Sequence, residues 1–128
     1  MTAARLKSQN GDLLVRDGTT DTSIKSGVAK AWADVAYSGG TPITQGTASL
    51  NISTYTDIGT GDYQANFTNN MNSSDFAKAG MGVTNVRVLA FSGTLASSYF
   101  RGNNWNVATS YQGVSDNGNT FVIHGDLA

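Results

Sequence analysis

Apolar and polar positions alternate along most of the chain with the two-residue period of strands, not the 3.6-residue period of helices. From Val28 to Tyr37, Ala29, Ala31, Ala33, Val35 and Tyr37 share one face, while Lys30, Trp32 and Asp34 share the other. This predicts a strand with a small-residue face, broken by Ser38-Gly39-Gly40-Thr41-Pro42. Next, Leu50, Ile52 and Thr54 alternate with Asn51, Ser53 and Tyr55, and Tyr63, Ala65 and Phe67 alternate with Gln64, Asn66 and Thr68. The Gly-rich stretch Asp57-Ile58-Gly59-Thr60-Gly61-Asp62 joins the two runs, which predicts a β-hairpin.

Beyond the hairpin, Asn69 to Ser74 predicts a loop, with one helical turn over Ser73 to Lys78. Val83 to Phe91 carries Val, Leu and Phe on both faces, interrupted by Arg87, and predicts a strand buried on two sides. Tyr99 to Gln112 predicts two strand pieces around Gly102-Asn103-Asn104, the second placing Trp105, Val107, Thr109 and Tyr111 on one side. A turn at Asp116-Asn117-Gly118-Asn119 then leads into a final strand, Thr120 to His124. Roughly seven or eight short strands with turns between them imply an all-β fold, an antiparallel β-sandwich of jelly-roll-like form. Residues 1–27, poor in large apolar side chains, read as a polar N-terminal arm and attachment segment with at most one short strand, Asp12 to Arg16. Residues 28–128 form the sandwich domain in this reading.

Eight Lys and Arg stand against nine acidic residues, every one of them Asp, for a net charge of −1. Without Glu the chain lacks a common filler of exposed helix faces, and its Ser, Thr, Asn and Gly suit strands and turns. The balanced charge has no basic cluster, so neither nucleic acid nor an anionic membrane is the expected partner. Met1 to Asn10 has no insertable apolar stretch, and the expectation is a soluble chain not exported by the general route. With no Cys, stability must come from packing or oligomerisation.

Candidate chemistry is sparse. One His, no Cys, no Glu and nine scattered Asp give little material for general acid–base or nucleophilic catalysis. His124 could pair with Asp126 and a serine, but no nucleophile-elbow pattern accompanies it, and no catalytic residue, cofactor or metal is expected. Asp57 and Asp62 flank Gly59 and Gly61, a set of oxygen ligands that calcium could use, although turn chemistry accounts for the same residues. Three Asn-x-Ser/Thr triplets, at Asn51, Asn66 and Asn72, are what a chain with 12 Asn produces by chance. Interfaces favour aromatic residues and Arg, which makes Trp32, Tyr55, Arg87, Tyr99, Trp105 and Tyr111 the interface or binding candidates. Trp32 is the most informative, since it shares a face with Lys30 and Asp34; a Trp partly covered by a loop would account for the same pattern.

Two stretches carry a resemblance: Gly27-Val28-Ala29-Lys30-Ala31-Trp32, and the run from Ser53 to Met71 that contains Thr56-Asp57-Ile58-Gly59-Thr60-Gly61-Asp62-Tyr63 and Asn66-Phe67-Thr68. Over residues 27–77 the chain resembles a short virion structural or tail-fibre-like domain of marine tailed bacteriophages. It departs from that pattern in having Asn72 where many relatives have Pro. The resemblance implies a homotrimeric virion component displayed on the particle surface and made in the host bacterial cytoplasm. A chain this short, without heptads, is not a whole fibre. The favoured expectation is therefore a head decoration or short head-fibre protein, bound to the major capsid protein or neighbouring virion subunits through its arm and one sandwich edge. The alternative is a tail-associated adhesin tip that contacts a host surface glycan or protein through loops at Ser38 to Thr47 and Gly102 to Asn104; a glycan-degrading tip ranks third.

Overall fold

Alternation gives each strand one apolar face, and two sheets closed on each other bury both sets of apolar faces. A computed structural model describes residues 5–9, 12–17, 20–23, 28–83, 87–91, 96–108 and 111–128. Among these residues there are twelve strands and no helix: β1 (Arg5–Gln9), β2 (Asp12–Asp17), β3 (Thr20–Ser23), β4 (Ala29–Ser38), β5 (Thr41–Leu50), β6 (Ile52–Gly59), β7 (Asp62–Phe67), β8 (Ala77–Gly82), β9 (Arg87–Phe91), β10 (Tyr99–Ala108), β11 (Tyr111–Val114) and β12 (Asn119–His124). Every pairing is antiparallel.

One sheet of the sandwich has the order β5-β4-β12-β8. The other is built around β10, with β7 and then β6 on one side and β9 on the opposite side. Strand β10 changes partner along its length, holding β7 through Tyr99 to Asn103 and β11 through Trp105 to Ala108. Asn104 sits at the handover, where its N–H donates to the Gly61 carbonyl at 2.7 Å and its carbonyl accepts from Ser115 N–H at 3.1 Å. The sandwich matches the alternation. A jelly roll is not described by these pairings, because three hairpins, β4–β5, β6–β7 and β9–β10, each stay within one sheet.

Large and small side chains interlock in the interior. Ala31, Ala33 and Val35 of β4 are buried, leaving room for Tyr63, Phe67 and Phe100 from the opposite sheet and for Phe121 and Ile123 of β12. Tyr63 packs edge-on against Tyr37, Tyr55 and Phe100, with centroids 6.0–6.3 Å apart, and Phe100 meets Phe121 at 4.2 Å. The Tyr63 hydroxyl, in a fully buried side chain, donates to Asn119 Oδ1 at 2.6 Å and so ties β7 to β12 across the sandwich.

Turns appear where glycine and asparagine permit positive φ. Gly39 (φ 58°) and Gly40 (φ 84°) make the two-residue β4–β5 connection, and Pro42 is tolerated because β5 is an edge strand. Between β5 and β6 the chain crosses from one sheet to the other at a single residue, Asn51, with φ 58°. Its side-chain amide holds Asn69 by two bonds, donating to the carbonyl at 2.9 Å and accepting from the N–H at 2.7 Å.

The structure corrects several expectations. The arm holds a three-stranded sheet of its own, β1-β2-β3, not a single short strand. Ser73 to Lys78 is not a helical turn. Ser73 Oγ accepts from Asp75 N–H at 3.1 Å, and β8 begins at Ala77. Val83 to Phe91 is not one strand buried on both faces: Val83 is 62 % exposed and Val88 45 %, while Leu89 points inward; residues 84–86 lie outside the described set. Tyr99 to Gln112 is one ten-residue strand followed by β11, because Gly102 continues the ladder at a point where a Cβ would meet Leu89 at 3.0 Å and Phe100 and the Tyr63 hydroxyl at 3.2 Å.

Tyr63→Phe removes the cross-sandwich bond and leaves the buried Asn119 Oδ1 without its donor. It is expected to cost about 1–3 kcal/mol, against about 3–5 kcal/mol for Phe121→Ala. Urea unfolding measures both as a lowered midpoint at unchanged slope.

Candidate functional site

The hairpin that singles out this chain by sequence is a structural device. Asp57 Oδ1 accepts from Gly59 N–H at 3.0 Å, closing an Asx-type turn. Gly61, with φ 65°, lies against the β11–β12 segment so closely that a Cβ would be 2.5 Å from Ser115 N. Its N–H donates to Asp116 Oδ1 at 2.6 Å. Asp62 is bound on its outer side by Arg101, whose Nε donates to Oδ1 at 2.7 Å and whose second nitrogen reaches Oδ2. These contacts account for both carboxylates that sequence offered as calcium ligands. The Arg101 bonds hold the Asp62 carboxyl below the ordinary carboxylate range, against a smaller opposing effect of burial.

The Asp62–Arg101 pair ends a polar ladder on the outer face of this sheet. Gln64 Nε2 donates to Asn66 Oδ1 at 2.6 Å, and Asn66 Nδ2 donates to the hydroxyls of Thr54 and Thr56 at 3.0 and 3.2 Å. The Asn66 bonds link β7 to β6 and the Asp62–Arg101 pair links β7 to β10, so the outer face is braced across three strands. Burial raises the Tyr63 phenol well above its ordinary range, and burial together with Asp116, Asp57 and Asp62 does the same to Tyr37. Both stay protonated hydroxyls.

The interface candidates separate by their place in the fold. Tyr55 is half-buried and packs against the core, its hydroxyl bonded to Thr44 Oγ1 at 3.1 Å and its ring against Tyr63. Alternation groups it with Asn51 and Ser53, opposite Ile52, but a bulge between Ile52 and Thr54 shifts the phase so that Ile52 and Tyr55 both pack against the core. Trp32 and Trp105 are 39 % and 42 % exposed, on the outer faces of opposite sheets, and the fold does not bring them together. Tyr99 is half-buried at the start of β10. Arg87 opens β9 opposite Asn106, and Tyr111 opens β11 opposite Ala108; both side chains lie outside the described set.

Each Trp sits in an apolar patch. Trp105 pairs directly with Val88 on one side and Val114 on the other, with Val107 two residues along, and Val88 and Val107 are exposed. Trp32 pairs with Leu50 and Val122, and Val122 with Ala79, so a row crosses all four strands of its sheet. Comparison with protein-family models, with curated proteins and with solved structures found no match. The reading of the site therefore rests on its geometry.

Sequence missed a cleft of about 600 Å³ beyond Asp34 on β4, lined among others by Asp34, Tyr37, Gln45, Asp116 and Asn117. Asp34 and Asp116 come from β4 and from the segment before β12, and only the folded sheet joins them. His124 lies in β12 opposite Ala29 and Ala77.

The Arg101 bond lowers the Asp62 pKa in the folded state, so its stabilisation is full above the unfolded-state value near 4 and is lost as pH falls through the folded-state value. Asp62→Asn is expected to destabilise the protein near neutrality by up to about 1 kcal/mol, since the pair is partly exposed. Its deficit against wild type should shrink below about pH 4. Thermal unfolding across pH measures this.

Proposed function

We propose that the protein is a non-catalytic virion structural protein of a tailed bacteriophage, a surface decoration or short head-fibre protein that binds capsid or neighbouring virion subunits. The observation that carries the reading is that both outer faces of the sandwich present an exposed tryptophan within an apolar patch. Patches of that kind mark protein contact surfaces. The resemblance in the Asp57 to Asp62 hairpin supplies the biological class, and the sandwich accords with it. The arm sheet β1-β2-β3 precedes the sandwich as a unit of its own pairing and suits attachment.

The adhesin reading has less support. Its proposed contact loops are mostly strand: Thr41–Leu50 is β5, and Gly102 and Asn104 are buried within β10. A threefold assembly loses the argument drawn from Val83 to Phe91, which presents Val83 and Val88 to the outside. Self-association remains part of the proposal, through the outer faces.

Cryo-microscopy of particles assembled from the encoding genome is expected to show the sandwich in fixed stoichiometry on the shell. Density confined to the tail overturns the decoration reading, and absence from the particle overturns the virion reading.

A further inference from the structure

The row Leu50, Trp32, Val122 and Ala79 spans the full width of sheet β5-β4-β12-β8 on its outer face, and no helix covers it among the described residues. Leu50 is 45 % and Trp32 39 % exposed, and Met81 beside the row is 72 % exposed. Charge is arranged about this row. Along β4, Lys30 lies two residues to one side of Trp32 and Asp34 two residues to the other, about 7 Å each way. No ion pair among the described residues engages either side chain. Asp34 opens into the cleft that also holds Asp116, whose carboxylate is fixed by Gly61 N–H, and none of the residues lining that cleft is a Lys or Arg.

We propose that this face pairs with the same face of a second copy, about a two-fold axis lying along the row, so that Lys30 of each copy enters the Asp34–Asp116 cleft of the other. An axis along the row returns the row to itself and reverses the strand direction. Trp32 then meets Trp32, and each Lys30 comes level with the opposing Asp34, as an isologous interface requires. A two-fold along the strands instead leaves Lys30 level with Lys30 and Asp34 level with Asp34. The apolar row supplies the attraction, and the reciprocal lysine–carboxylate contacts select the orientation. Three strand spacings by the six residues of β12 make a flat patch of roughly 14 by 20 Å. That is smaller than a standard interface, so the contact is weak and governed by concentration.

Sedimentation velocity of the full chain, from micromolar to millimolar concentration at low salt, is expected to show a reversible dimer. Lys30→Asp and Asp34→Lys should each weaken it by about tenfold or more, since each brings like charges together. Mixing the two variants in equal amounts should restore dimerisation, because every contact across that heterodimer again joins opposite charges. Far-ultraviolet dichroism confirms that each variant is folded, and Trp105→Ser, on the opposite sheet, should leave the dimer unchanged. A monomer at all concentrations, a trimer or dimer indifferent to both substitutions, or no recovery on mixing would each overturn the proposal. None of these outcomes bears on whether the protein is found on a virion.

Discussion

The burial of Tyr63 is the constraint on which the rest of the sandwich depends. Its ring fills the space left by the small side chains of β4, its edge contacts reach Tyr37, Tyr55 and Phe100, and its hydroxyl crosses to Asn119. A phenol buried this deeply needs an acceptor, and Asn119 supplies one at the first residue of β12. Gly102 keeps the space beside the hydroxyl open, since a Cβ there would sit 3.2 Å from it and 3.0 Å from Leu89. Packing, hydrogen bonding and backbone choice thus converge on one residue, and the relative placement of the two sheets follows from it.

Close approach at the end of the sandwich is set by the same logic. Gly61 brings the β6–β7 turn against Ser115, and the Asp116 carboxylate that binds its N–H is held where it can line the outer cleft. A turn read from sequence as hairpin chemistry therefore also shapes the surface of the opposite sheet. Interior and exterior are linked through Gly61, whose carbonyl accepts from Asn104 N–H and whose N–H binds Asp116.

Legibility in the sequence followed side-chain bulk. Strand β4 and the β6–β7 hairpin were readable because Val35, Tyr37, Tyr63 and Phe67 mark the buried phase strongly. Strand β8, Ala-Lys-Ala-Gly-Met-Gly, carries almost no such mark, since Gly80 faces Leu89 so closely that a Cβ would lie 2.4 Å from it. The phase of β6 slips past Ile52, where a bulge before Thr54 turns Tyr55 inward without any glycine to announce it. Of the candidate site, the exposure of Trp32 was visible in its company of Lys30 and Asp34, whereas the row and the cleft needed the register of β4 with β5 and β12. Val83 to Phe91 misled for the opposite reason: apolar residues on both faces can mean a surface left for a partner as readily as a doubly covered strand.

Scarcity of charge gives the two outer faces their physical character. Ser, Thr, Asn and Gln occupy positions that Glu and Lys fill on most solvent-facing sheets, and side-chain bonds join Thr54, Thr56 and Gln64 to Asn66 and Asp62 to Arg101. Covering such a face strips little hydration from ionised groups, which lowers the desolvation cost that opposes charged interfaces. Small apolar patches then suffice for contact wherever copies are already held close, because tethering turns a weak association into an effectively intramolecular one.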